Sequence, residues 1–399
     1  MSTLKTGNIT HPSSTGTAIT LDASDNVTIN GPTNFNSNAL SGIASINGGQ
    51  IGGSRNLLIN SAMQVAQRSS SVTGITSSSY PTVDRWKFEI GNMGTWTASQ
   101  EASGPSGFSN SAKILCTTAD ASPAATDEVK YSQFIEAQNL QQLAYGTSDA
   151  KQMTLSFWVK SNKTGTYIVW FYQDDDGRQL TTSYTIDVAD TWEYKTILVA
   201  SDTTGVIDNN SGAGLRVSFV LGAGSSYTSG TAATAWESLV DANRYVGQTV
   251  NLADATSNYW QITGVQLEVG SQATAFQHED YGTTLQRCYR YFQRFGGDGN
   301  FDISATSAFG LASNFIGALT NLRTDMRAQP TLSINSIESS DAVNSAVPIA
   351  SASLSTAISS TQIAYVQYSS SGTGIVTYRP YYIRSDNNSA GYVDFDAEL

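Results

Sequence analysis

Seven tryptophans, Trp86, Trp96, Trp158, Trp170, Trp192, Trp236 and Trp260, are the side chains whose chemistry stands out in this sequence. An indole face stacks on the apolar C–H face of a pyranose, so an exposed tryptophan is a candidate sugar platform. Most of the seven alternate into apolar runs and read as core. Trp96 and Trp236 lie in looser stretches, Gly94-Thr95-Trp96 and Ala235-Trp236-Glu237, and are the glycan-binding candidates. Tyr381 and Tyr382 join them from a tyrosine-rich C-terminal run that also holds Tyr365, Tyr368 and Tyr378. A phenol with one wet end suits a binding surface or a subunit interface.

Other chemistry is sparse. His11 and His278 are the only histidines, and there is no HExxH, no CxxC and no His cluster to hold a transition metal. Asp174-Asp175-Asp176-Gly177 offers hard oxygen ligands, with Asp174, Asp176 and Glu268 as Ca²⁺ candidates. The later acid of an EF-hand is missing, however, and Asp-Gly tips are ordinary hairpin turns, so no cofactor is expected. Glu268 reads more simply as a solvated, outward strand residue. Glycoside hydrolysis needs two carboxylates across a cleft, and Asp187, Glu193 and Glu237 are candidates that no motif selects from the 33 acidic residues. No long β-helical period appears, and no enzymatic activity is expected.

The elements that must carry these side chains are strands. Of 399 residues, 40% are apolar and only 14% charged, the composition of a β-rich chain of two or three domains. The net charge of −12, with no Lys/Arg cluster, disfavours nucleic acid. Apolar runs are too short to cross a bilayer, and the opening Met1-Ser2-Thr3-Leu4-Lys5 lacks the apolar centre of a signal peptide, so cytoplasmic synthesis is expected. Cys116 and Cys288 stand among apolar neighbours and are expected as buried free thiols.

Residues 1–55 are polar, with short alternations at Ala18–Leu21, Val27–Ile29, Ile43–Ile46 and Ile51. Such strands gain little within one chain but can wrap with identical copies around a shared axis. From Asn56 a sandwich pattern begins. Alternation marks strands around Trp86–Ile90, Ala112–Cys116, Val129–Ile135, Leu155–Val159, Tyr184–Val188 and Leu215–Leu221, while Tyr167–Tyr172 is apolar on both faces and should be central. In Trp260–Gly270 the apolar parity changes at Gly264: Trp260 and Ile262 before it, Val265, Leu267 and Val269 after it. One extra residue must be absorbed there as a bulge, and the bulge would curl the sheet. Thr283 and Gln286 form a Thr-x-x-Gln capping box that predicts a helix to about Phe295, stopped by Gly296-Gly297. Strand patterning returns at Phe309–Phe315, Leu332–Ile337, Ile363–Tyr368, Ile375–Arg379 and Tyr392–Phe395, enough for a small β-sandwich.

Several phrases resemble structural proteins of phage tails, chiefly tail fibres, whose jelly roll is similar to carbohydrate-binding modules. They are Asn56-Leu57-Leu58-Ile59-Asn60-Ser61-Ala62-Met63-Gln64-Val65, Asp84-Arg85-Trp86, Leu155-Ser156-Phe157-Trp158-Val159-Lys160, Trp260 to Gly270 with Phe276, and Tyr281 to Tyr291. Met326-Arg327-Ala328-Gln329-Pro330-Thr331 and Phe395-Asp396-Ala397-Glu398-Leu399 also resemble C-terminal segments of such fibres. The resemblance implies a homotrimer, and the patterning divides an all-β chain into four parts. These are an N-terminal virion-attachment and trimerisation stalk over 1–55, a carbohydrate-binding-module-like jelly roll over 56–282, a connector helix over 283–296 and a C-terminal β-domain over 297–399. The resemblance further implies a virion location, a phage tail or capsid protein as partner of the N-terminal segment, and multivalent binding of host surface polysaccharide. The competing expectations are a purely structural decoration or tail-assembly subunit, and a polysaccharide depolymerase.

Overall fold

Apolar alternation becomes strand at most places where the sequence shows it, in a computed structural model that describes residues 8–10, 17–21, 27–29, 54–297, 303–341, 346–385 and 388–399. The chain divides into two units, Met1–Ile46 and Asn47–Leu399. In the first, β1 (Asn8–Thr10), β2 (Thr17–Leu21) and β3 (Val27–Ile29) form an antiparallel sheet in that order. The alternations at Ala18 and Val27 thus fall in strands, while Ile43–Ile46 and Ile51 lie outside the described residues.

The second unit opens with twelve strands in two antiparallel sheets. In chain order these are β4 (Ser71–Ile75), β5 (Trp86–Gly91), β6 (Thr95–Glu101), β7 (Ser111–Thr118), β8 (Glu128–Glu136) and β9 (Met153–Ser161). Then come β10 (Gly165–Gln173), β11 (Arg178–Ile186), β12 (Glu193–Val199), β13 (Ala213–Ala223), β14 (Glu237–Ser238) and β15 (Tyr259–Val269). One sheet runs β14-β11-β10-β13-β8-β5 and the other β12-β9-β15-β7-β6-β4. Their inner faces share one core in which Trp86 stacks on Tyr131 at 5.4 Å, and Trp260, Phe219, Phe157 and Tyr184 follow edge-on or tilted. As its pattern requires, β10 is central: Tyr167, Val169 and Phe171 face this core, and Ile168 and Trp170 are buried on the other side under Tyr245. Cys116 and Cys288 are both buried and unbridged.

The expected bulge is present. Pairing between β15 and β9 slips between Thr263 and Gln266, and Gly264 sits at φ +61°, a conformation open to glycine at little cost. The bulge also divides the strand's other edge. Tyr259–Ile262 pair with β7, whereas beyond it the Asn56–Ser61 segment takes over. There Leu57 N donates to Leu267 O, Val265 N donates to Ser61 O, and the buried Asn56 carboxamide bonds Val265 O at 2.9 Å and Leu267 N at 3.1 Å. Asn60, itself at φ 56°, closes a turn by accepting from Gln64 N and Val65 N.

Several expectations change beyond the sandwich. The helix is shorter and starts earlier: α1 spans Tyr281–Tyr289, and its N-cap is Asp280, which accepts from Thr283 N and Thr283 Oγ1, in place of the expected Thr283 box. Phe292–Gly296, expected as its last turn, is β16 because this five-residue segment finds a strand partner in Tyr392–Asp396. Downstream lie β17 (Ile303–Ala312), β18 (Phe315–Asn321), β19 (Thr331–Asn335), β20 (Glu338–Ser340), β21 (Val347–Leu354), β22 (Ile363–Ser370), β23 (Pro380–Arg384) and β24 (Tyr392–Asp396). The expected C-terminal sandwich is instead a closed barrel, β17-β18-β22-β21-β20-β23, beside a small sheet β16-β24-β19. Phe309–Phe315, expected as one strand, turns at Ser313-Asn314 into a hairpin, and Ile375–Arg379 is a loop before β23.

The barrel region is tied to the sandwich by charge. Arg85, only 1% exposed, pairs with Glu398 and donates to Phe134 O, with its guanidinium 3.4 Å from the Tyr291 ring. Arg68 pairs with Asp396 at 2.9 Å and lies over Phe292. Tyr80 OH donates to Leu399 O at 2.5 Å, and Arg327 donates to Ala397 O and Glu398 O. Buried ion pairs of this kind cost desolvation and fix arrangement more than they add stability.

Candidate functional site

Parity along each strand decides which aromatic rings reach solvent. In β9, Leu155, Phe157 and Val159 point inward, so Trp158 must point out, and it is half-buried. Tyr194 of β12 pairs directly with Trp158 and is 46% exposed, and the two ring centroids lie 5.2 Å apart at 52°. Because directly paired residues share a face, one outer row reads Tyr194, Trp158, Thr263 across β12, β9 and β15. The next row holds Lys160, Gln261 and Lys113 across β9, β15 and β7.

Tyr259 and Trp192 complete the patch, both half-buried. The Lys160 ammonium stands 5.1 Å from the Trp192 ring and 5.9 Å from that of Tyr259, and Lys113 is 5.0 Å from Tyr259 on the other side. Cation–π contacts of this kind hold both partners in place. Tyr259 OH donates to Asp190 Oδ1 at 2.5 Å, and burial, then that carboxylate, push the phenol upward, so it stays a neutral donor. The result is a set of ring faces rimmed by two ammoniums, a carboxylate and a phenol. Such a surface can stack on the C–H face of a sugar and hydrogen-bond its hydroxyls.

Around the bulge this outer face is closed. Gln266 and Glu268 are buried beneath the chain that follows β15, where Glu268 accepts from Gln266 Nε2, Thr274 N and Thr274 Oγ1 at 2.7–2.8 Å. Phe108 covers Gly264 and packs with Phe276 and His278. The bulge therefore sits under a lid of side chains, and the accessible rings lie toward the other end of the sheet.

The residues singled out from sequence are not brought together. Trp96 belongs to β6 and has no exposure, with its indole N–H donating to Met93 O at 2.6 Å and its ring 5.8 Å from Phe88. Trp236 is 8% exposed, edge-on to Tyr145, and donates to Ala200 O. Tyr381 is a barrel core residue whose hydroxyl accepts from Val376 N. These three are corrections, for a buried ring has no face for a ligand. Tyr382, alternate to Tyr381, is half-buried with Arg384 5.8 Å from its ring. A nearby glycine or turn was a poor guide to exposure, whereas the parity of Trp158 between Phe157 and Val159 would have found the accessible ring.

The Ca²⁺ candidates also part company. Asp174 takes Arg216 Nε at 2.8 and 2.9 Å, Asp176 is exposed at the turn, and Glu268 is on the other sheet, buried where a solvated position was expected. Among the described residues no group of three or more His, Cys, Asp or Glu is placed to hold a metal ion. Of the carboxylates weighed for hydrolysis, Glu193 accepts from Asp187 N and Val188 N, Lys195 pairs with both Asp187 and Glu193, and Glu237 accepts from Gln179 and Asn243. No described helix is long and apolar enough to cross a membrane.

The fold and patch define an all-β protein built on a two-sheet sandwich with a ring platform on one outer face. Among solved structures it is similar to the enzymatically active domain of tailspike protein 4 from bacteriophage CBA120, at 13% identity and a TM-score of 0.27 over 54% of this chain and 21% of that one. It is also similar to the family 11 carbohydrate-binding module from Clostridium thermocellum, at 10% identity and a TM-score of 0.27, over 51% and 98% of the two chains. The xylan-binding domain CBM22-1 from Paenibacillus barcinonensis matches at 10% identity and a TM-score of 0.27, over 57% and 100%. The chain spans about a fifth of the length of the tailspike structure it matches. No protein-family model matches the sequence, and no curated protein does.

Proposed function

We propose that this protein is a phage attachment component, a tail fibre or a close equivalent, that binds host surface glycan and carries out no chemistry on it. The observation that carries the binding is the platform of Trp158, Trp192, Tyr194 and Tyr259, in which Tyr194 is exposed and the other three rings keep partial access to solvent, in a chain whose other sandwich tryptophans are buried. The phage assignment, the homotrimer and the virion location rest on the resemblance of the phrases running from Asn56 to Leu399. Weak single sites serve such a role, because linked copies raise avidity by about 10²–10⁴. A glycan array probed with the full-length protein tests the reading. Retention of a bacterial polysaccharide whose length stays unchanged over hours is expected, and a protein that retains none would refute it.

One observation favours the structural-subunit alternative. On the barrel, Phe309, Leu311, Phe315 and Leu319 are 41–50% exposed on β17 and β18, an apolar face suited to another protein surface. A particle that assembles normally with a platform-less variant, and adsorbs normally to its host, would decide for that reading.

A further inference from the structure

A cleft of about 450 Å³ opens where the end of β8, the 3-10 turn Ala137–Leu143 and α1 meet, within the range of roughly 300–1,000 Å³ usual for small-molecule sites. It lies away from the ring platform and does not depend on it. In a chain of net charge −12, its described lining holds three guanidiniums, Arg85, Arg287 and Arg290, and no Asp or Glu.

The carboxylates that balance these arginines stand behind them: Glu136, Glu279 and Glu398, with side chains 0%, 19% and 3% exposed. N–H donors remain. Arg287 engages Glu279 through Nη1 only, and Arg290 engages Glu136 through Nε and Nη2, leaving Nη1. Arg85 is 1% exposed, and its Nε has no acceptor among the described residues. A guanidinium has five N–H groups in a fixed fork that matches a carboxylate. The exposed carboxamides of Gln138 and Asn139 share the lining and can serve hydroxyls.

We infer that this cleft binds an acidic sugar, a pyranose bearing a carboxylate, with the carboxylate on the arginines and the hydroxyls on the carboxamides. Unlike the platform, which reads ring surface, the cleft would read charge. Calorimetric titration of the full-length protein with glucuronate, glucose and inorganic phosphate tests this. Saturable glucuronate binding is expected, with glucose and phosphate each at least about tenfold weaker. Arg287→Gln, at a partly exposed pair, is expected to weaken glucuronate at least about tenfold without lowering Tm, and Asn139→Ala, at an exposed position, to weaken it less. Trp158→Ala is expected to leave it unchanged. Failure to saturate with glucuronate overturns the proposal. Phosphate binding as tight as glucuronate reduces the cleft to a plain anion site and overturns the sugar, and glucose binding as tight removes the role of the arginines. Parent-like binding by both folded variants, or loss of binding in Trp158→Ala, places the ligand elsewhere.

Discussion

Glu136 receives Arg290 in a two-pronged ion pair, Nε to Oε1 and Nη2 to Oε2, each at 2.7 Å, although the carboxylate is fully buried. Tyr291 OH donates to the same carboxylate at 2.5 Å, so the residues after α1 are anchored to the end of β8. Burial alone would raise this carboxyl, but Arg290 and Tyr291 overcome it and hold it below its ordinary 4.5. Its stabilisation is therefore complete above the unfolded value and lost as pH falls through the lower folded one. Thermal unfolding between pH 7 and 3 should show Tm falling at the acid end, with a shallower fall for Glu136→Gln. That variant should cost roughly 1–3 kcal/mol at pH 7, less than a wholly buried pair because Arg290 keeps partial solvent contact.

Asp84 has the opposite sign. Burial lifts its carboxyl from 3.8 to about 6, against the pull of Arg68 and Gln67. Across that interval the folded protein keeps a proton that the unfolded chain has released, so stability falls as pH rises and levels off above it. Asp84→Asn should remove the fall. The check is the difference in Tm between pH 4.5 and pH 7, and an equal difference in parent and variant would mean the carboxylate is charged throughout.

Gly264→Val should destabilise the protein by roughly 1–3 kcal/mol, since a β-branched residue is strained at φ +61°. A Cβ there would also come within 2.6 Å of the Phe108 ring, which must shift. Phe108→Ala in the same background should recover only the part due to crowding. Chemical denaturation of the four proteins separates the two contributions, and a Gly264→Val chain as stable as the parent would show that neither operates.

The tryptophans should split cleanly by parity. Trp158→Ala is expected to lower glycan binding at least about tenfold while leaving Tm near that of the parent, as ring-face contacts at an open site predict. Trp96→Ala should cost about 3–5 kcal/mol, the range for emptying a packed aromatic site. If Trp158→Ala binds as well as the parent while folded, the platform is not where glycan sits.

Much of the sandwich was legible because its strands are either one-sided or, like β10, apolar on both faces; even the slip at Gly264 could be read from the parity of Ile262 and Val265. What failed was whatever depends on partners far along the chain. β16 looked helical in isolation and became a strand because β24, about a hundred residues on, supplied its ladder. Trp96 looked loose because Gly94 and Thr95 precede it, yet pairing of β6 with β7 and β4 draws it into the core. Closure of six strands into a barrel leaves no local mark, since each strand alternates as it would in an open sheet.

The pairing of Arg85 with Glu398 spans 313 residues and so bears on how the chain is made. The whole sandwich leaves the ribosome before the anion that its buried guanidinium needs, and during that interval the site must stay wet or partly open. A chain stopped short of residue 398 would keep a naked charge in its interior and remain exposed to proteases. Synthesis as far as residue 398 thus becomes a condition of the sandwich's final packing.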